Sequence, residues 1–393
     1  MIEYKGQCTT AYVMIDQLDD ATVQQIYSFI SHHAFTNPVY IMPDCHYGAG
    51  AVIGFTMEIP DVIIPNVVGV DQNCGMLSEN LGKNLFSAIS LEALDINIRQ
   101  KIPFGTSVHK KCQFNSEKHS PFWELANYKL ISFTDKFNNK YGTSYQYPDF
   151  SPIWLKKKCE DIGMEYGRAI NSVGTLGSGN HFIEFGKSTK TGDYWSTVHS
   201  GSRQLGLKLA VYWQRQGGKG QLAHLEGENM FGYLADSMFT QVYANESRDV
   251  MQDIIHGITG QDVKESISSV HNFIDFDDFI IRKGAIRSYK DEKMIIPFNM
   301  EDGILICEGK SNPDWNFSAP HGAGRVGPRK MKEDKSIIIE DIKKRMENKG
   351  IYCSKIPKDE IKEAYKDPKI IEDAIEPTAT IIDRLIPVLA MKD

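Results

Sequence analysis

The side chains best suited to chemistry in this 393-residue chain lie in five short glycine-rich segments. They are MPDCHYGAG (Met42 to Gly50), GVDQNCGM (Gly69 to Met76), GSGNHFIE (Gly177 to Glu184), HSGSR (His199 to Arg203) and HGAGR (His321 to Arg325). Glycine permits backbone conformations that other residues resist, and it lets a ligand approach the main chain closely. One such segment reads as a turn; five together are hard to explain as turns alone. Asp71 and Cys74 are three apart on one loop, so a hard oxygen and a soft sulfur can face one point. His181, His199 and His271 add imidazoles from separate segments. This donor set suits a borderline divalent ion such as Mn²⁺, Zn²⁺ or Co²⁺ better than Mg²⁺ alone. A bridging thiolate can hold two such ions together, as two-metal phosphoryl transfer requires. Taken singly, each histidine reads more readily as a hydrogen-bonded core residue than as a ligand, and Cys74 as a small buried hydrophobe. The long separations are not a diagnostic metal spacing.

His321 differs in kind. The N–H groups of the following Gly-Ala-Gly can form an anion nest, and Arg325 and Arg329 can clamp phosphate oxygens. A neutral imidazole nitrogen can attack phosphorus to give a phosphoramidate, splitting a difficult transfer into two steps. The alternative is a structural histidine in a glycine-rich turn. Asp44 and His46 read as a pair that hydrogen-bond to each other and order their loop.

The elements that must position these residues are mixed. Runs of β type appear at PVYIM from Pro38, AVIGFTMEI from Ala51 and PDVIIPNVVGV from Pro60, each bounded by Gly, Pro or Asp. Further strands are expected at His181 to Phe185, Tyr194 to His199 and Ile304 to Cys307. Helical periodicity covers ATVQQIYSFISHH, Phe122 to Asn139, Ile153 to Ser172, Asn229 to His256, Lys335 to Asn348 and Ile370 to Leu385. The elements do not alternate as a βαβ series, which disfavours a doubly wound sheet. An α+β fold is expected, a single domain over residues 1–393 with a central β-sheet system flanked by helices.

Seven cysteines lie scattered without a CxxC pair, which argues for reduced thiols. No apolar run is long enough to span a bilayer, and the amino terminus lacks the order of a signal peptide, so a cytoplasmic protein with no membrane partner is expected. A net charge of −7 tells against a generic nucleic-acid coat but leaves room for a local basic channel. Lys156 to Lys158 and the RVGPRKMK stretch from Arg325 are the candidate basic segments; the lysine run reads first as a solvated face.

Read in order, the five segments, the pair His271–Asn272, RKGA from Arg282, EAYKD (Glu363 to Asp367) and Lys392 resemble the signature of the RtcB family of RNA ligases. The resemblance covers most of the chain. It implies an enzyme that joins an RNA 3′-phosphate or 2′,3′-cyclic phosphate to a 5′-hydroxyl, using GTP as co-substrate and two Mn²⁺ ions, with Zn²⁺ or Co²⁺ as alternative occupants. Cys74 would bridge the metals, Asp71 and His181 completing one site and His199 and His271 the other. His321 would take GMP from GTP, and an RNA-(3′)pp(5′)G intermediate would follow. The resemblance assigns Asn180, Phe182, Ile183, Glu184, Asn272, Pro297, Asn299, Met300, Gly322, Ala323, Gly324, Tyr365 and Lys392 to the nucleotide. Arg203, Arg325 and Arg329 would handle phosphates of nucleotide or RNA. It implies RNA repair or tRNA splicing, with an archease-like activator as the protein partner to look for.

The chain departs from the family where a Gly-Ser-Met-Gly stretch is usual: it reads Phe298-Asn299-Met300-Glu301. An aromatic and a carboxylate beside a bound nucleotide would weaken GTP or change its pose. Two other readings follow: a metal-dependent RNA-end phosphoesterase or cyclic phosphodiesterase that forms no nucleotide adduct, and an inactive RNA-end-binding protein.

Overall fold

The structure, a computed structural model, describes residues 1–117, 119–326 and 338–393. Two sheets organise it. The larger has seven strands in the order Glu265–Val270, Gly75–Gly82, Tyr194–Ser200, Phe182–Ser188, Ala379–Met391, Ile304–Gly309 and Lys293–Pro297, every neighbour antiparallel. It curls until its ends meet, since the Ile295 N–H donates to Ser269 Oγ at 2.8 Å. Met76, Trp195, Ile267, Ile295, Ile304, Ile306 and Leu385 form one apolar cluster drawn from both edges and the middle, with Phe182 packed against it. Burial of that shared face favours the curl over an open sheet.

The second sheet runs Ile2–Lys5, Thr10–Val13, Val39–His46, Ile53–Glu58, Ile280–Lys283 and Phe273–Asp275. Only Thr10–Val13 and Val39–His46 pair in parallel, joined through the helix Asp20–Ile30, because a parallel return needs a long crossover. The largest core lies between this sheet and the helices Pro121–Tyr141 and Gly227–Thr259, where Trp123 stacks on Phe239 and Phe133 on Phe231. The sheets join in sequence at Val270 to Phe273, the segment that carries His271.

The α+β class matches the expectation, with local differences. The run from Pro60 makes only the short strand Val62–Ile63, then a helical turn, Pro65–Val68. Proline at the first helical position presets φ and has no N–H to leave unpaired. Helix from Ile370 to Leu385 is replaced by Pro368–Ala374 and the strand Ala379–Met391. Pro377 interrupts the periodicity, and the β-branched residues after it pair on both sides in mid-sheet. Ile153 to Ser172 breaks into Pro152–Asp161 and Tyr166–Asn171 at Gly163, whose φ is 65°. Lys158 is not a solvated cation: it pairs with the buried Asp236 at 3.1 Å among the rings of Tyr147, Trp154 and Trp213. Among the described residues, no helix is long and apolar enough to cross a membrane.

Candidate metal centre and adjoining cavity

Strand register gathers the metal-type residues at one end of the seven-stranded sheet. His199 lies opposite both Met76 and Phe182. Cys74 and His181, each just before its strand, therefore flank it. Val270 pairs with Gly75 and the His271 N–H donates to Cys74 O at 2.7 Å, which sets His271 opposite Cys74. The loop before Cys74 closes tightly: the Cys74 N–H reaches Asp71 O, and Asn73 adopts φ 54°. That left-handed conformation is held by Asn73 Nδ2 donating to Gln241 O (3.0 Å) and Asn245 Oδ1 (2.9 Å) on the long helix. From the same helix, buried Arg248 donates to Asn73 O and Ser200 O, both at 2.8 Å.

Five acceptor atoms then converge. Cys74 Sγ is 3.4 Å from His181 Nε2 and 3.2 Å from His199 Nε2; His199 Nε2 is 3.3 Å from His271 Nε2; Asp71 Oδ2 is 2.9 Å from His181 Nε2. They fall into two overlapping triads, Asp71–Cys74–His181 and Cys74–His199–His271, which share the sulfur. The far nitrogens are accounted for. His181 Nδ1 meets Leu176 O at 2.9 Å and His199 Nδ1 meets Asn180 O at 3.2 Å. A proton on each Nδ1 leaves the Nε2 lone pair aimed at the centre, the usual outer support of a ligating imidazole. Burial first, and neighbouring imidazoles second, hold His199 and His271 well below the usual histidine range, so both are neutral. Burial, then Asp71, pushes the Cys74 thiol up. Burial works to raise the Asp71 carboxyl, but the His181 contact and Arg203 hold it low. A carboxylate oxygen, a sulfur and three imidazole nitrogens gathered in two triads that share the sulfur are a donor set that fits one or two divalent ions, which would displace the protons on these groups.

His321 stands beside this cluster, its ring centroid 4.7 Å from that of His271. It follows the short strand Ser318–Pro320, which pairs with Ala285–Arg287. Fully buried Asp44 accepts from His321 Nδ1 at 2.6 Å and from its main-chain N–H at 3.2 Å. The expected Asp44–His46 pairing is thus wrong for the side chain, because His46 Nδ1 contacts only the Asp44 carbonyl oxygen, at 3.0 Å. Two glycines make room. A Cβ on Gly284 would come within 3.2 Å of His321 Cε1, and Gly324, at φ 75°, lies against the Asp44 main chain.

In front of His321 is a cavity of about 240 Å³. All the residues that the sequence resemblance assigned to a nucleotide line it, together with Arg325, His46, His199 and His271. On one wall the Glu184 carboxyl is pushed up to about 8 by burial, against the opposing pull of Lys392. On another, Glu360 Oε2 accepts from Lys392 Nζ at 2.7 Å and from Tyr365 Oη at 2.5 Å, and its Oε1 accepts from Arg325 at 3.2 Å. Arg325 also donates to Asp359 O, so its guanidinium braces the wall. Arg203 packs over Gly177 and donates to Thr175 Oγ1 and Gly105 O. Arg329 and most of the basic stretch after Arg325 lie outside the described residues.

The unusual stretch follows its sequence reading in part: Phe298, Asn299 and Met300 line the cavity, whereas Glu301 does not. Phe298 is 3% exposed and packs in a core with Met294, Ile296 and Ala323. Asn299 Oδ1 accepts from the N–H groups of Glu301 and Asp302, so that side chain shapes a turn. Glu301 is not in the cavity lining; it faces Arg345 and Lys349. The carboxylate therefore lies outside the cavity. Sequence reasoning also passed over Glu360, two of whose partners, Arg325 and Lys392, lie 35 and 32 positions away in the chain.

Residues 25–393 match the family model described as tRNA-splicing ligase RtcB. The chain is 29% identical over 394 residues to the RNA-splicing ligase RtcB of Escherichia coli K12, with 90% of each chain covered. It is 23% identical over 434 residues to the tRNA-splicing ligase RtcB of Methanococcus maripaludis, covering 92% of this chain and 88% of that protein. With the model spanning nearly the whole length and every segment that builds the cluster and the cavity, the chain belongs to the RtcB family.

Proposed function

We propose that this protein is an RNA ligase that uses GTP and Mn²⁺ to join a 3′-phosphate or 2′,3′-cyclic phosphate end to a 5′-hydroxyl end. The observation that carries the reading is His321: Asp44 holds its Nδ1 at 2.6 Å, in the lining of a cavity that also borders the cation cluster. With the proton on Nδ1, the Nε2 lone pair is the nucleophile. It attacks the α-phosphorus of GTP; a P–N bond forms, the α–β P–O bond breaks and pyrophosphate leaves. Asp44 keeps the developing imidazolium in place and offsets its charge. An oxygen of the RNA 3′-phosphate then displaces the imidazole, restoring the neutral ring and giving RNA-(3′)pp(5′)G. The 5′-hydroxyl attacks the 3′-phosphorus, its proton is lost and GMP departs. A cyclic end is first opened by water to the 3′-phosphomonoester. Divalent cations held by Asp71, Cys74, His181, His199 and His271 would offset charge on the reacting phosphates. The names of the relatives, RNA-splicing ligase and tRNA-splicing ligase, support the RNA-ligase part of this reading. Cytoplasmic RNA repair or tRNA splicing, on one catalytic unit over residues 1–393, is the setting we infer, with an archease-like activator as candidate partner.

The test is covalent label. Incubation with Mn²⁺ and α-labelled GTP should leave label on the denatured wild type and none on His321→Ala. Phe298 in the cavity lining, where the resemblance leads one to expect glycine, motivates one rival, a metal-dependent phosphoesterase. Absence of label with any nucleotide, together with phosphate release from 3′-phosphorylated RNA, would replace the ligase reading with that one.

A further inference from the structure

Glu301 is a buried carboxylate that the proposed chemistry does not use. Its side chain is 1% exposed, a costly position for a charge without partners. Its partners are cationic: Arg345 Nε lies 3.1 and 3.0 Å from its two oxygens, Arg345 Nη2 is at 2.5 Å and Lys349 Nζ at 2.8 Å. Arg345 carries the connection onward, donating to Glu363 Oε1 at 2.8 Å and Oε2 at 3.3 Å. Next door, Asp302 Oδ1 accepts from Lys362 Nζ at 2.9 Å. Asn299 fixes both carboxylates, accepting from their N–H groups through Oδ1 and donating through Nδ2 to Asp302 at 2.8 Å. One turn between the strands Lys293–Pro297 and Ile304–Gly309 thus grips the segment holding Lys362 and Glu363 at two points. That segment also supplies Glu360 and Tyr365 to the cavity wall. Its other edge is tied to the chain after His321, since the Val326 N–H donates to Ala364 O and the Lys366 N–H to Gly324 O.

We propose that Glu301 and Asp302 are positioning residues that hold the Glu360–Tyr365 wall against the nucleotide cavity, Asp302 through Lys362 and Glu301 through Arg345. The proposal rests on the nucleotide reading of that cavity. Neither carboxylate touches the reacting atoms, so they act on how tightly nucleotide is held and not on the transfer itself. Arg345 and Glu363 are partly exposed, which makes the outer half of the clasp sensitive to salt.

The experiment uses the full chain with Mn²⁺ and α-labelled GTP. Glu301→Gln keeps the shape of the side chain and removes its charge. It should raise the Kd for GTP about tenfold, the scale seen when an outer support of a site is lost. The labelling rate at saturating GTP should stay at the wild-type value. Amide hydrogen exchange should quicken across residues 358–366 and stay unchanged in Ile304–Gly309. Arg345→Gln cuts the same link from the solvent side, where folding is less at risk, and the double variant should be no weaker than the worse single variant. An unchanged Kd in both single variants, or an unchanged exchange rate over 358–366, overturns the proposal. A wild type that takes no label from GTP overturns the ligase reading instead, and the exchange data then decide the clasp separately.

Discussion

At the scale of single residues, the decisive contact joins Asp44 to His321 across 277 positions of sequence. Both residues stood out in the chain by type and by their glycine neighbours, yet nothing local says that they meet. The local partner, His46, does hydrogen-bond to Asp44, but to its carbonyl oxygen and not to its side chain. The geometry makes a sharp expectation. Asp44→Asn keeps the shape, weakens the fixing of the Nδ1 proton and removes the charge that stabilises imidazolium. Covalent labelling from GTP should slow by on the order of a hundredfold or more, while Mn²⁺ content stays at the wild-type level. Single-turnover labelling beside metal analysis checks it; a rate within a few-fold of wild type would remove Asp44 from the mechanism. Glu184 makes a second residue-scale expectation. Burial raises its carboxyl from 4.5 to about 8. The folded chain therefore keeps a proton that the unfolded chain has lost between those values. Its contribution to stability is full below pH 4.5, declines as pH rises and is gone by about pH 8. Glu184→Gln, which cannot ionise, should flatten that decline by on the order of 4 kcal/mol across the window. Denaturant melts of metal-free protein at pH 5 and pH 8 test this, and parallel pH profiles for the two proteins would refute it.

At the scale of elements, legibility followed the apolar pattern. The helix Pro121–Tyr141 carries its buried residues at helical spacing and Gly227–Thr259 is a long run buried on nearly every side from Met230 to Thr240, and both were readable. The strand Gly75–Gly82, which begins beside Cys74, was not. Its Ser78, Glu79 and Asn80 are buried within polar partners: Ser78 Oγ with Thr197 Oγ1 at 2.7 Å, and Asn80 Nδ2 with Asp193 at 3.2 Å. A strand whose polar residues are satisfied inside the sheet shows no alternation in sequence. The carboxyl-terminal strand Ala379–Met391 failed for another reason: its short helical prelude extended an apparent periodicity past Pro377. The segments that carry the site were legible because close backbone approach demands glycine. The register that brings them together was not, since it is set by pairing between strands distant in sequence.

At the scale of the whole molecule, the cluster of Asp71, Cys74, His181, His199 and His271 would act as a rivet when it holds cations. Cys74, His181 and His199 are fixed by the seven-stranded sheet, whereas His271 sits on the segment leading from that sheet into the second one. Ions shared among these ligands would bind the folded chain and not the unfolded one, so their binding energy should appear as global stability. At a free Mn²⁺ concentration a hundredfold above Kd, one site contributes about 2.7 kcal/mol. For a chain of this size that is a rise in Tm of roughly 3 °C. Cys74→Ala removes the sulfur common to both triads and should abolish nearly all of the rise. His271→Ala, which leaves the Asp71–Cys74–His181 triad whole, should keep part of it. Calorimetry with and without Mn²⁺ on the three proteins distinguishes these cases. Equal shifts in wild type and Cys74→Ala would mean that the ions bind elsewhere, and a full loss in His271→Ala would mean that the two triads do not fill independently.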